Sequence, residues 1–470
     1  MLEDEMSKML SAMTVFSLAI KYMVDDATAD ITKRHIDVLM SDITWVLTVP
    51  AIWTDSAKKF MRLAAEKAGI SSDKLLIALE PECASILCRY LPVNKKKDET
   101  GTNMSVLPTG SKFMTIDAGG GTIDTTVYEV DKLPYLKEIT AASGGDWGGK
   151  LIDEAFEQVL IDIFGRECFQ HLKENSTEDW LDLWREFEIK KRQYRNKDVI
   201  MRVPFALFGY QEDQGNDIIQ KSKYSSDIQQ HTFKKDKIKI KASLWVKLFE
   251  TSISKIIDHL TDLLSKPQTK DVKLLVMVGG FSTSMLFQEK MRASFEADKY
   301  TIIIPSDAST AVLRGAVIFG HDPTCISQRV LQYTYGIKTN RPFIEGKHPD
   351  SKRVVRDSGI KCTDCFSKHV EIGQIVKFGV TQESQYYTPT NRNQTSLAFP
   401  LYYSCKRDPV YTDDVGCHRL ETFEVPLTDP SGDLDSGVYV TFTFSGTEIH
   451  VEGKEKKTGL ITKAKFELKE

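Results

Sequence analysis

Residues 113–130 read Phe-Met-Thr-Ile-Asp-Ala-Gly-Gly-Gly-Thr-Ile-Asp-Thr-Thr-Val-Tyr-Glu-Val, and no other segment constrains the fold as tightly. An apolar strand runs into Asp117, turns through Gly119, Gly120 and Gly121, and leaves as a second strand carrying Thr122 and Asp124. Consecutive glycines allow positive φ and let backbone N–H groups approach an anion with no Cβ in the way. Carboxylates on both rims suit a Mg²⁺ that arrives with phosphates and keeps its waters. A dinucleotide-binding or P-loop turn would feed a helix. Here the glycines are followed by a β-branched, alternating run, so the expected element is the tip of a β-hairpin. An ordinary hairpin turn has no need of the two flanking carboxylates.

The chain has 470 residues, enough for about three compact units by the usual domain-size scale. A net charge of −4 gives no electrostatic footprint for nucleic acid. No apolar run is long enough for a membrane span, and the acidic start Met-Leu-Glu-Asp-Glu is unlike a secretory leader. Eight scattered cysteines fit reduced thiols, so the expected location is cytoplasmic and the sequons at Asn103, Asn175 and Asn393 carry no weight.

Apolar residues at Leu2, Met6, Met9, Met13, Phe16, Ile20 and Met23 predict an amphipathic, core-facing helix over 2–24. Then follow a strand Ile43–Val49, a helix near Thr54–Ala68 closed by Gly69, a strand Leu75–Leu79 and a helix opened by Glu80-Pro81. This rhythm means an α/β layer with a parallel component. Residues 92–111, with Lys95-Lys96-Lys97, read as a solvated loop. Beyond the hairpin, Gly144-Gly145-Asp146-Trp147-Gly148-Gly149 opens a helix Lys150–Phe164, and helical patterns cover 178–195 and 242–266. A strand Lys273–Val278 enters Gly279-Gly280 and a helix near Ser282; another helix spans Ser309–Gly320. From about residue 328 short alternating strands read as a β-sandwich.

These segments, in this order, resemble the 70-kilodalton heat-shock protein family, most closely its divergent member-12 branch. The resemblance is carried by Thr48-Val49-Pro50-Ala51 with Asp55-Ser56, Glu80-Pro81, Asp117 to Asp124, Gly148-Gly149, Val278-Gly279-Gly280, Ala311 to Ala316, Gly336-Ile337-Lys338-Thr339, and Phe444 to Phe466 with Lys457-Thr458-Gly459. It implies an α/β actin-like ATPase fold with ribonuclease H-like lobes, the first incomplete, followed by an all-β sandwich-like C-terminal module. The implied division is 1–110 as partial lobe I, 111–302 as lobe II, 303–325 as a helix returning to lobe I, and 326–470 as a substrate-binding-like β-module without helical lid. It implies ATP/ADP and Mg²⁺ as cofactors, and protein clients or partners on the β-module.

Residue by residue, the resemblance implies Gly119, Gly120, Gly121 and Thr122 along the phosphates. Asp117 and Asp124 would hold Mg²⁺ through water, and Glu80 would place the attacking water. Glu188, Lys191 and Arg192 would contact adenosine; as charges on one helix face they would otherwise read as a solvated surface. Gly148 and Gly149 would be cofactor-binding, and Gly279 and Gly280 would let the backbone approach the nucleoside, a role compatible with a tight strand-to-helix turn. The chain departs from the family in lacking an Asp-x-Gly-Thr-Thr hairpin and the lysine that follows it. That raises the expectation of an incomplete first lobe or a pseudo-ATPase, with incompleteness favoured because an open sheet edge is a liability. Phe281 stands near the place of the family's adenine-stacking arginine, where it could stack or belong to the core. The polar 321–328 segment replaces the usual apolar linker.

Cys362-Thr363-Asp364-Cys365, with Cys405, Cys417 and His418, holds the sulfurs for a tetrahedral zinc site but lacks a second tight knuckle, so buried free thiols are the expectation. The leading expectation is an atypical chaperone-like ATPase, with ATP binding expected ahead of efficient hydrolysis. Its rival is a non-catalytic scaffold for protein partners, and fold alone does not choose between them.

Overall fold

The computed structural model describes residues 1–3, 8–34, 37–90, 93–94, 104–105, 107–132, 135–209, 215–230, 236–298, 300–428, 434–445 and 448–467. Met6, the Lys95–Lys97 run and Asn103 lie outside them. The chain divides into two compact units: Met1–Ile52, Phe60–Tyr128 and Ala142–Gly320 in one, and Trp53–Lys59, Glu129–Ala141 and His321–Glu470 in the other.

In the first unit, strands Trp45–Val49 and Leu75–Leu79 pair in parallel, Trp45 opposite Leu75. Between them in the chain, helix Asp55–Lys67, of which residues 55–59 are counted with the second unit, is followed by Gly69, whose φ is 102°. The helix expected over 2–24 starts later, at Ala12, and runs to Lys33. Ser11 caps it by accepting from the Thr14 amide at 3.0 Å, while Leu2–Glu3 pairs antiparallel with Met9–Leu10. A cap serine restarts the helix although the methionine spacing runs through it. Its buried residues are Ser17 and Ile20; Met9 and Met23 are exposed and Met13 is half-buried, so the described methionines form no buried stripe.

The central strands of this unit run Thr301–Ile303, Leu274–Val278, Lys112–Ala118 and Ile123–Val130. Leu274–Val278 lies parallel to Lys112–Ala118 with Val278 opposite Asp117. That register places the Gly279-Gly280 turn beside the end of the first hairpin strand. Helices Lys150–Phe164, Thr177–Gln193 and Ala242–Ser265 meet through Phe156, Phe187 and Trp245. Phe156 stacks on Phe187 at 4.2 Å, and Trp245 lies 5.3 Å from Phe187. These aromatic contacts fix where the last turn of Thr177–Gln193 points.

The second unit holds a five-stranded sheet ordered Arg353–Arg356, Gly359–Val370, Thr334–Pro342, Ser396–Ser404, Cys417–Pro426, and a four-stranded sheet ordered Gln385–Tyr387, Val438–Ser445, Glu448–Glu455, Ile461–Glu467. Inward residues of both, among them Tyr335, Ile337, Phe399, Val440, Phe442, Phe444 and Val451, form one apolar core. No helix longer than the turn Asp350–Lys352 interrupts these strands among the described residues. Cys362 and Cys365 are buried, Cys417 is half-buried and Cys405 exposed.

One polar group inside this core is exposed to acid chemistry. His369 stacks on Phe442 at 4.2 Å and its Nε2 lies 2.9 Å from the Tyr387 hydroxyl. Its Nδ1 is buried without a hydrogen-bond partner among the described residues. Burial pulls its pKa from 6.5 down to about 4. The fold therefore favours neutral imidazole, whereas the unfolded chain takes up a proton below about pH 6.5. Stability from this group is full above that pH and falls as pH drops toward 4. Urea unfolding at pH 7 and pH 5 is expected to differ less in His369→Gln than in the wild type, by about 1–2 kcal/mol. An identical pH dependence would clear His369 of the effect.

Candidate functional site

Strands Lys112–Ala118 and Ile123–Val130 form the hairpin, closed by the Gly119 amide donating to the Thr122 carbonyl at 2.9 Å. Contrary to the expectation of positive φ, none of Gly119, Gly120 and Gly121 adopts it, because this closure is made with ordinary backbone angles. Gly120 and Gly121 are exposed at the tip, and a Cβ on either would enter open space. Thr122 is half-buried. Neither backbone strain nor crowding within the chain calls for glycine at 120 and 121.

The second glycine segment packs backbone to backbone on this tip. The Gly148, Gly149 and Lys150 amides donate to the carbonyls of Gly121, Gly119 and Gly120, at 3.2, 3.2 and 2.7 Å. A Cβ on Gly148 would lie 2.6 Å from the Gly120 oxygen, so only glycine permits the approach. Amides at the start of helix Lys150–Phe164, normally left without partners, are thus satisfied by the hairpin's carbonyls. Gly148 and Gly149 hold the tip in place, and their N–H groups point at protein oxygens.

Three carboxylates gather beneath the tip. Asp117 ends the first hairpin strand, Asp124 sits in the second, and Glu80 opens helix Glu80–Tyr90 directly after strand Leu75–Leu79. Asp117 and Asp124 are buried, and Asp124 accepts from the Ile52 amide at 3.0 Å. Burial and the neighbouring Asp124 push Glu80 up to about 7. Asp117 is driven well above its ordinary value by burial, then by Glu80 and Asp124. Cys88 rises to about 12, from burial and the Asp117 charge. Mutually repelling oxygen donors in a dry site are the arrangement that a divalent cation relieves. No group of three His, Cys, Asp or Glu among the described residues converges to hold an ion directly. The same finding gives no support to zinc at Cys362 and Cys365.

Gly279 completes this end. Its φ is +84°, its amide donates to the Ala308 carbonyl at 2.9 Å, and an added Cβ would stand 2.4 Å from both the Ala118 oxygen and Asp117 Oδ1.

The opposite wall comes from the last turns of helix Thr177–Gln193. The Lys191 side chain is only 7% exposed, and its Nζ lies 2.6 Å from Asp153 Oδ1, 2.6 Å from Glu188 Oε2 and 3.4 Å from the Gly149 carbonyl. Arg192 Nε donates to Glu188 Oε1 at 2.7 Å. Burial raises Asp153 against the opposing pull of Lys191. For Glu188 the upward push of burial is outweighed by Lys191 and Arg192, and its pKa falls below the ordinary value. Gly120, Gly149, Lys191, Gly280, Phe281 and Ser284 face a common cleft. Phe281 reaches this cleft and is also buried, stacked on Phe287 at 4.6 Å with planes 2° apart.

The structure thus gathers Gly120, Gly149, Glu188, Lys191, Arg192 and Gly280 around one cleft, and sets Glu80, Asp117 and Asp124 within electrostatic reach of each other. Sequence reasoning missed Asp153 and Ser284. Asp153 carried a faint signal as an acid in the first turn of the helix that follows Gly149; Ser284 reads simply as the start of helix Met285–Phe295.

Among the described residues, no helix is long and apolar enough to cross a membrane. Residues 109–303 match a family model described as "Domain of unknown function (DUF8340)". Heat shock 70 kDa protein 12A of Homo sapiens is 32% identical over 90% of this chain and 70% of the relative's length. The Mus musculus protein of that name matches with the same identity and coverage. Heat shock 70 kDa protein 12B of Homo sapiens is 29% identical over 99% of this chain and 76% of its own length. The ordered motifs and these long alignments agree, and the chain belongs to the heat shock 70 kDa protein 12 branch of the heat-shock protein 70 family.

Proposed function

We propose that this chain binds Mg-ATP and Mg-ADP at the hairpin and its adjoining cleft, and that this binding governs a protein-interaction module formed by the β-rich unit. The observation that carries it is the exposed Gly120-Gly121 tip, which no internal constraint requires to be glycine, standing over a buried, self-repelling set of carboxylates. Phosphates would lie along Gly119 to Thr122, with Asp117 and Asp124 holding Mg²⁺ through water and Glu80 orienting a water. The bound cation supplies charge neutralisation at the phosphates. The chain's own part is positioning: Gly148 and Gly149 hold the tip, Gly279 seats Asp117, and Glu188, Lys191, Arg192 and Gly280 frame the nucleoside side. The lobe assignment, 1–110 and 303–325 against 111–302, belongs to this proposal, as does the sandwich at 326–470.

Support for a protein partner comes from the five-stranded sheet. Thr334–Ile337 pair with Leu401–Ser404, but beyond Ile337 the two strands part, each keeping only its outer neighbour. Lys338, Asn340, Tyr387, Gln394, Ala398 and Pro400 are among the residues lining the resulting gap. Two facing strand edges with mixed polar and apolar side chains between them suit an extended peptide. A non-catalytic scaffold is the second reading, favoured by Lys191 and the 148–150 amides being engaged within the protein.

The test is thermal melting with and without Mg-ATP for wild type and Gly120→Val. The variant is expected to melt as the wild type does without ligand, since its Cβ enters open space, and to lose the nucleotide-dependent rise. An undiminished rise in the variant sinks the hairpin assignment.

A further inference from the structure

Helix Ala242–Ser265 turns an apolar face inward, with Trp245, Leu248, Phe249, Ile256 and Leu260 buried. Two polar residues share that side. Ser252 is fully buried, and the half-buried His259 follows seven residues later, two turns along the same face. Both end on one segment of chain. The Ser252 hydroxyl donates to the Trp147 carbonyl at 2.5 Å, and His259 Nε2 lies 3.2 Å from Ser143 Oγ. The Trp147 ring meets the His259 ring edge to face, with 5.3 Å between centroids.

That segment is the one that holds the hairpin tip. On its front, the Gly148, Gly149 and Lys150 amides donate to the Gly121, Gly119 and Gly120 carbonyls. Gly144 lies so close to the second hairpin strand that a Cβ there would run into the Ile123 carbonyl. Ser252 and His259 hold its back. A short segment gripped on two sides has little freedom to shift, and the tip it carries is fixed with it. Burial, and then Lys266, hold the His259 ring below its ordinary pKa while Asp262 pulls the other way, so the ring is neutral at pH 7 and shares a hydrogen bond with the Ser143 hydroxyl. An apolar residue at 259 would fill the helix face without that bond.

We propose that His259 is a positioning residue for the hairpin: through Ser143 and Trp147 it braces the second glycine segment, and through that segment it sets the phosphate-side affinity of the tip. The affinity half rests on the nucleotide reading above; the brace itself does not. The experiment takes the full chain and its His259→Ala, His259→Gln, Ser143→Ala and His259→Ala/Ser143→Ala variants. Mg-ADP affinity is measured by calorimetry, amide exchange at 148–150 by mass spectrometry, and ligand-free melting alongside. His259→Ala is expected to weaken Mg-ADP about three- to tenfold and to speed exchange at 148–150 by a similar factor. His259→Gln, whose side-chain amide keeps a hydrogen-bonding group for Ser143, regains most of both. The double variant binds no more weakly than His259→Ala, because Ser143 acts only through the ring. Unchanged affinity and exchange in His259→Ala overturn the proposal. So does faster exchange along the whole helix with a lowered melting temperature and no rescue by glutamine, which is how a plain core residue behaves. Faster exchange at 148–150 with unchanged affinity keeps the brace and overturns its effect on the ligand. A wild type that binds no Mg-ADP removes the nucleotide reading and the affinity half with it, and exchange at 148–150 then decides the brace alone.

Discussion

Gly279→Ala is expected to lose stability and nucleotide binding together, by about 2–4 kcal/mol of unfolding free energy and most of its affinity for Mg-ADP. Two effects add. The backbone stands at φ +84°, which an L side chain rarely adopts, and the new Cβ would lie 2.4 Å from the Ala118 oxygen and 2.4 Å from Asp117 Oδ1. The first atom is backbone at the end of strand Lys112–Ala118, one residue past the Val278–Asp117 pair that holds the strand in parallel register. The second belongs to a buried carboxylate, so relief comes by displacing Asp117 from its place. Gly120→Val is the informative contrast, because there the chain makes no steric objection. Melting and titration of the two variants separate a glycine needed by the fold from one needed by the ligand. Wild-type melting in Gly279→Ala would contradict the packing described here.

Glu80→Gln is expected to stabilise the protein in Mg-free buffer at pH 8, and to weaken its response to Mg-ATP. The folded-state pKa of Glu80 is pushed from 4.5 up to about 7, by burial and then Asp124. A raised carboxyl contributes stability that is fully present below the unfolded value and lost as pH climbs through the folded one. The wild type therefore weakens between about pH 4.5 and 7, whereas glutamine, which carries no charge, escapes that loss. After allowance for partial solvent access the gain at pH 8 is about 1–3 kcal/mol, shrinking to nothing near pH 5. Denaturant unfolding at the two pH values checks it. An equal gain at pH 5 and pH 8 would show that packing, not ionisation, was responsible. A site that sacrifices stability of the ligand-free protein to keep carboxylates close is common where binding supplies the missing charge.

Much of this arrangement was legible in the chain itself. Period-two alternation after Gly121 identified the hairpin, and Gly69 and Pro50 marked element ends that the structure keeps. Asp117 and Asp124 could be named because they flank the three glycines, whereas Glu80 is implied only by the resemblance to the family. What stayed hidden depended on three-dimensional register. The glycine tip reads as a positive-φ turn, but its backbone is ordinary and the unusual φ belongs to Gly279. Gly148 and Gly149 carry no sign in the sequence that their amides are spent on the hairpin's carbonyls, while Gly149 also lines the cleft. Asp153 and Ser284 have bland local roles, an acid in a first turn and a serine at a helix start. Only the packing of helix Thr177–Gln193 through Phe156, Phe187 and Trp245 shows what each faces. The N-terminal helix starts later than the methionine spacing predicts, because that spacing does not register the capping Ser11.

The most direct measurement is calorimetric titration of the intact chain with Mg-ATP and Mg-ADP, with Gly120→Val as the matched control. Saturable one-site binding by the wild type, absent from a control that is equally folded, is the expected result. A folded wild type that takes up neither nucleotide would contradict the account and leave the scaffold reading in its place.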